Sequence, residues 1–181
     1  MMIGITLGLL LTAASIRSGH GVLAIHAGPW TAWPHNGAPD IDPYARAILA
    51  HSGEAPLGRE EGLMFLADVD SNGAQLDARC EYRVTDPTPP ARYWTLGLAS
   101  RKGYLLPNPT GRYAFSSSDV LRRNAGSFEI NVAKEARPEN WLSPGDANGF
   151  IFVLRLYDTP IDVDAPLDPN NFPRITKARC A

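Results

Sequence analysis

The chain has 181 residues, of which 44% are hydrophobic, 20% charged and 9% aromatic, and its formal net charge is -2. Such a composition excludes a disordered chain, a collagen-like repeat and a multi-span membrane protein. The basic residues are scattered, whereas a nucleic-acid binder gathers them into a stripe that replaces phosphate counterions, so nucleic acid is not an expected partner.

At the N-terminus, Met1 to Ile16 carries no charged side chain and covers roughly 24 Å as a helix, against a hydrocarbon core of about 30 Å. Three readings are open: a signal peptide cut near Thr12-x-Ala14, an uncleaved anchor running towards Ile25, or a helix buried in the globular part. The first basic residue is Arg17, and the apolar run resumes at Val22-Leu23-Ala24-Ile25, which favours a short anchor. Residues 1–27 are therefore expected to be a signal peptide or signal-anchor helix. Gly28 to Pro39 contains three prolines, so residues 28–41 are expected to form an extended tether without regular structure. Its Trp30 and Trp33 are free to sit at a membrane interface or to pack on the remaining unit, residues 42–181.

That unit should open with a helix: Asp42 is placed as N-cap, Pro43 suits the first helical position and Gly53 ends it. From Leu63 onward the pattern changes to period two. Leu63 to Val69 is apolar on both faces, and Arg79 to Val84 alternates Cys80, Tyr82 and Val84 with Arg79, Glu81 and Arg83. Tyr93 to Ala99, Arg112 to Ser116, Ser127 to Ala133 and Phe150 to Tyr157 follow, with Trp94, Leu96, Leu98, Tyr113, Phe115, Phe128, Ile130, Val132, Phe150, Phe152, Leu154 and Leu156 as the inward set. Short helical turns are expected over Ser117 to Arg123. Sixteen Pro and sixteen Gly punctuate these runs, as in a mainly β, antiparallel sandwich of jelly-roll type.

The run Glu139-Asn140-Trp141-Leu142-Ser143-Pro144, followed by Phe150-Ile151-Phe152-Val153-Leu154-Arg155-Leu156-Tyr157, resembles a bacterial family known as domain of unknown function 1214. Asn124-Ala125-Gly126-Ser127-Phe128-Glu129-Ile130, Pro90 to Leu96, Gly28-Pro29-Trp30 and Asp42-Pro43-Tyr44 share the likeness, so it covers most of the chain. Ser143 departs from the usual Asn-Trp-Leu-Pro, and Ala125 stands where an Asp is common. The resemblance implies a jelly-roll-like sandwich and association, in one chain or between neighbouring genes, with domain of unknown function 1254. It implies no catalytic residues, because the family has no settled activity.

Few residues point to chemistry. The four histidines, His20, His26, His35 and His51, all precede the first predicted strand, which disfavours a cupin-type metal site and a histidine-assisted hydrolase in the β region. Asp68-Val69-Asp70-Ser71-Asn72-Gly73 copies the start of a calcium loop, but Arg79 stands at the twelfth position, where a bidentate Glu belongs. The competing reading is a hairpin with Asn72-Gly73 as a type I′ turn. Cys80 and Cys180, the only two cysteines, are a disulfide candidate if the chain is exported, and separate thiols otherwise.

Arg155 lies mid-strand among apolar residues, so it needs a carboxylate such as Glu129 or Glu81, or else it lines a ligand cleft with Tyr157. Asn140 and Trp141 either hold a sugar ring or plug the end of the sandwich. Glu60, Glu61, Asp86, Asp119 and Glu129 could supply an acid/base pair only if two meet across a cleft. No phosphate loop, nucleophile elbow or Cys-x-x-Cys pair is present.

These residues point away from an enzyme and call for no cofactor. The leading expectation is a non-catalytic binding or assembly module in the bacterial cell envelope. It would be anchored in the inner membrane with its β-domain in the periplasm, or secreted there if the leader is cut. A protein carrying domain of unknown function 1254, or a second copy, is the expected partner. The alternative is a carbohydrate-binding or glycan-modifying domain using Arg155, Asn140, Trp141 and Tyr157.

Overall fold

The computed structural model describes residues 2–18, 23–52, 55–58, 60–108 and 110–180. Met2–Ser18 forms α1, a helix of 17 residues. Its Met2, Ile3, Ile5, Leu7, Leu9, Leu10 and Leu11 are 56–85% exposed, so α1 is not a helix buried in the core. At about 1.5 Å per residue it covers roughly 25 Å. No helix among the described residues is long and apolar enough to cross a membrane.

The helix expected after Asp42 is α2, Pro43–Ser52. The Asp42 carboxylate accepts from the Tyr44 and Ala45 amides at 2.9 and 3.2 Å, which satisfies N–H groups that the first turn leaves open. The expected stop at Gly53 lies outside the described residues.

Among the described residues, ten strands make two sheets. One is six-stranded, in the order β1 (Ile25–Ala27), β2 (Trp30–Ala32), β3 (Gly62–Ala67), β9 (Ile151–Tyr157), β5 (Tyr93–Ala99), β6 (Ala114–Ser116). The other is four-stranded, in the order β10 (Arg174–Cys180), β4 (Cys80–Thr85), β7 (Glu129–Val132), β8 (Asn140–Leu142). All pairings are antiparallel except β7 with β8, which is parallel. Period-two alternation decides which side faces in. Phe65, Leu96, Leu154 and Leu156 from the larger sheet share one buried cluster with Tyr82, Val84, Ile130, Val132 and Ile175 from the smaller. Ring contacts cross the gap, Trp94 to Phe128 at 5.2 Å and Tyr82 to Phe150 at 5.8 Å. Burying each such side chain is worth about 1.5–3 kcal/mol.

Two local expectations are corrected. Residues 28–41 are not an irregular tether throughout: Trp30–Ala32 lies in the sheet between β1 and β3, Thr31 and Ala32 pairing with Leu66 and Phe65, and Pro34–Gly37 is a 3-10 turn. Trp30 is fully buried, and its indole N–H donates to the Pro173 carbonyl at 2.8 Å. Three prolines failed to exclude a strand here because a three-residue strand fits between them. The Asn72-Gly73 turn is not type I′, since only Gly73 has positive φ (83°). The Gly73 amide donates to Asp70 O and the Asp70 amide to Ala74 O, which is a type I turn closed by a left-handed glycine. Ser116 to Val120 is a hydrogen-bonded turn, and the 3-10 turn nearby spans Asn124–Gly126.

Cys80 and Cys180 are disulfide-bonded. They face each other in register at one end of the β4–β10 pair, so the bond fastens the edge strand to its neighbour.

Candidate functional site

The four ligand-binding candidates do not converge. Arg155 and Tyr157 point away from the core on the outer face of the six-stranded sheet, because their neighbours Leu154 and Leu156 fill the inner face. Arg155 is flanked across the strands by Met64 and Thr95, and Tyr157 lies 5.8 Å from Tyr93 between ring centroids. On the same face Ala99, Ile151 and Val153 form a small buried cluster with Met64 and Leu66 packed against it.

Trp141 lies on the opposite side of the molecule. On β8, Asn140 and Leu142 are buried and Trp141 faces out, cross-strand from Asn131. Its indole N–H is fixed on the Ala133 carbonyl at 2.9 Å. Asn140 is 1% exposed. Its amide accepts from the Leu121 N–H at 2.7 Å and donates to the Leu121 and Glu129 carbonyls at 2.8 and 2.9 Å. With its donors and acceptor in use, Asn140 is a structural cross-link and offers nothing to a sugar.

Neither expected partner of Arg155 reaches it. Glu81 and Glu129 project from the other sheet's outer face, where other arginines take them, and Arg155 makes no ion pair among the described residues. The reason is topological: β9 belongs to the larger sheet and β4 and β7 to the smaller, so their outward residues point in opposite directions.

The smaller sheet's outer face carries a groove of about 540 Å³, whose lining includes Arg83, Arg123, Arg137 and Arg179 with Glu81, Glu129 and Glu139. The alternating polar residues of β4 and β7 form its floor. Its rim is the segment 133–139, which must return along the sheet because β8 runs parallel to β7. Asn131 helps hold that segment through the Pro138 carbonyl at 3.5 Å.

Glu81 accepts from both Arg137 and Arg179, the latter at 2.8 Å. The Arg137 hydrogen bond, opposed by partial burial and helped by Arg179, holds the Glu81 carboxyl below its ordinary range. Arg123 binds Glu139 at 2.8 Å and Glu129 at 3.5 Å, and its guanidinium is pushed above its ordinary value chiefly by the Glu139 hydrogen bond. Arg83 is exposed and has no ion pair or side-chain hydrogen bond among the described residues.

The other candidates are structural in placement. Asp70 turns its carboxylate onto the Asn72 and Ala74 amides, both at 2.9 Å, so the calcium-like stretch caps its own loop. Asp86 accepts from the Phe128 amide at 2.8 Å, and Asp119 from the Ser116 hydroxyl at 2.6 Å. His26 contacts the Thr31 hydroxyl at 3.0 Å, and His20 lies outside the described residues. No group of three or more His, Cys, Asp or Glu among the described residues is placed to hold a metal.

The sequence reading missed the groove as a site. Its signal was present in the polar alternation Glu81, Arg83 and Glu129, Asn131. What was hidden was that the 133–139 segment and β10 bring Arg137, Glu139 and Arg179 to the same face.

The sequence model of the family described as "Protein of unknown function (DUF1214)" matches residues 61–161. No curated protein matches the chain. Among solved structures, the VPA0106 protein from Vibrio parahaemolyticus is similar with a TM-score of 0.60 and 18% identity, over 77% of this chain and 36% of that one. An uncharacterized protein from Burkholderia cenocepacia gives 0.47 and 16%, over 96% of this chain and 42% of that one. The chain thus spans well under half the length of either, and the first likeness concerns the fold alone.

Proposed function

The chain belongs to the DUF1214 family of proteins of unknown function, and from that premise we propose a non-catalytic binding or assembly module of the bacterial cell envelope. In this reading α1 holds the chain at the inner membrane. The β-domain, a sandwich of jelly-roll type, works in the periplasm with a partner, either a protein carrying domain of unknown function 1254 or a second copy. The observation that carries it is α1 itself, whose seven large apolar side chains named above are more than half exposed. Water disfavours such a surface, and a bilayer or a partner helix would cover it. The disulfide between Cys80 and Cys180 agrees with an oxidising compartment. At roughly 25 Å α1 is short for a span, so anchoring draws on residues beyond Ser18 or on local thinning.

Membrane fractionation of a full chain tagged at its C-terminus tests this, with α1 deleted in a second variant. Membrane association lost on deletion, together with a crosslinked partner or oligomer, is the expected result. Recovery of the intact chain from the cytosol with both thiols reduced would overturn it.

A second reading, a carbohydrate-binding domain, is favoured by one observation. The groove on the smaller sheet mixes hydrogen-bond donors with acceptors and lies next to the outward ring of Trp141. The carriers differ from those expected, since Asn140 and Arg155 are elsewhere. A glycan array without binders would remove this reading.

A further inference from the structure

We propose that the groove across the four-stranded sheet takes an acidic sugar whose carboxylate is held by Arg83; the proposal rests on the carbohydrate reading above. Charge inside the groove decides the ligand class. Glu81 is shared by Arg137 and Arg179, and Arg123 by Glu129 and Glu139, so three arginines and three carboxylates offset one another. Of the arginines lining the groove, Arg83 alone remains without a partner among the described residues. Its cross-strand neighbours, Asn131 and Thr176, are neutral. Within the groove lining, one uncompensated cation matches one anionic group. The planar guanidinium takes a carboxylate through two parallel hydrogen bonds.

The surroundings suit the remainder of a sugar. Hydroxyl groups need donors and acceptors together, and each ionised carboxylate keeps lone pairs beyond those its arginine uses. Glu129, Glu139 and the Asn131 amide all line the groove. Trp141, one strand beyond Asn131, is pinned by its indole N–H and offers a flat apolar surface to a ring's C–H face.

A second depression of about 540 Å³ contains Arg79, Arg101 and Lys134. There Arg79 binds Asp77 at 2.6 Å, Lys134 binds Asp146 at 3.3 Å, and the Arg101 guanidinium is taken up by the Gln75 side chain at 2.8 Å and the Leu76 carbonyl at 3.2 Å, so no guanidinium there is open to a carboxylate in the way Arg83 is. An acidic peptide would share the carboxylate contact, but it binds through pockets for alternate side chains. The groove's aliphatic lining of Val132, Ala133, Pro138 and Ala178 offers only small surfaces for them.

Calorimetric titration of the full chain with galacturonate, galactose and the peptide acetyl-Ala-Ala-Asp tests the proposal. Galacturonate should bind at least about tenfold more tightly than galactose. Arg83→Gln should abolish that difference, Arg83→Lys should restore part of it, and Arg92→Gln, remote from the groove, should leave it intact. Equal affinity for both sugars, unaffected by Arg83→Gln, overturns the acidic-sugar assignment while leaving the carbohydrate reading. Absence of sugar binding overturns both, and preference for the peptide overturns both in favour of a peptide site.

Discussion

Each sheet has an outer face that carries an arginine without an ion pair among the described residues, Arg155 on the larger and Arg83 on the smaller, and the two faces differ in what surrounds it. Arg155 stands on the larger sheet beside Met64, Thr95 and Tyr157, near a buried cluster of Ala99, Ile151 and Val153. Arg83 stands on the smaller sheet among three carboxylates and three further arginines. Residue type and strand position are alike, so it is the surroundings, covered apolar side chains on one sheet and open charged ones on the other, that distinguish the two faces. The sheets also cohere differently. Six strands with long ladders at β3, β9 and β5 secure the larger one. The smaller ends in the three-residue β8 on one side and the largely exposed β10 on the other, and it leans on a disulfide and a buried amide.

Breaking the disulfide should separate the sheets most clearly. Its bond closes a separation of 100 residues, for which chain entropy gives about 4–5 kcal/mol as an upper figure. The Cys80→Ser/Cys180→Ser double variant should lose about 4 kcal/mol in urea unfolding. Amides of β10 and β4 should exchange faster before those of β3 and β9; uniform acceleration would break the comparison. Asn140→Ala comes next, at about 3 kcal/mol, because it strands the Leu121 N–H and two carbonyls inside the protein. A loss below 1 kcal/mol in the same assay would mean that water replaces the amide.

A smaller effect should appear in acid. Glu81 titrates below its ordinary value of 4.5 through Arg137, with Arg179 contributing. A carboxyl lowered on folding stabilises the fold above its unfolded pKa, and this contribution disappears as pH falls through the folded value. Wild type should therefore lose stability below about pH 4.5 more steeply than Glu81→Gln, as thermal melts across that range would reveal. Asp77 is likewise lowered, to about 2, chiefly by its hydrogen bonds with Arg79. Least affected should be Arg83→Gln and Arg155→Gln, each within about 0.5 kcal/mol of wild type in urea unfolding. Arg137→Gln should cost more than either, because Glu81 loses a hydrogen-bonded partner.

The longer strands were legible because alternation needs five or six residues to declare itself. Tyr93–Ala99 is observed where Tyr93 to Ala99 was expected, and Ile151–Tyr157 falls within Phe150 to Tyr157. β1, β2 and β8 are each three residues long, too short for a period. β10 escaped for a different reason: only Ile175 of its seven residues is buried, so an edge strand bearing Arg174, Lys177 and Arg179 reads like a polar tail. Of the site, the charged alternation of β4 was visible, whereas its meeting with Arg137 and Arg179 depends on pairings across 56 and 98 residues. Nothing in the local sequence announces that β7 and β8 run the same way.

That shared direction has an evolutionary corollary. Had β8 returned as a hairpin, segment 133–139 would be a simple reversal at the sheet's end, free to lengthen or shorten. Running alongside its strands instead, it is at once connector and wall: Trp141 grips its first carbonyl and Asn131 reaches towards its end. Insertions there would reshape whatever the groove accommodates, and diversification of specificity among related chains is expected to concentrate in those few positions while the strands beneath stay put.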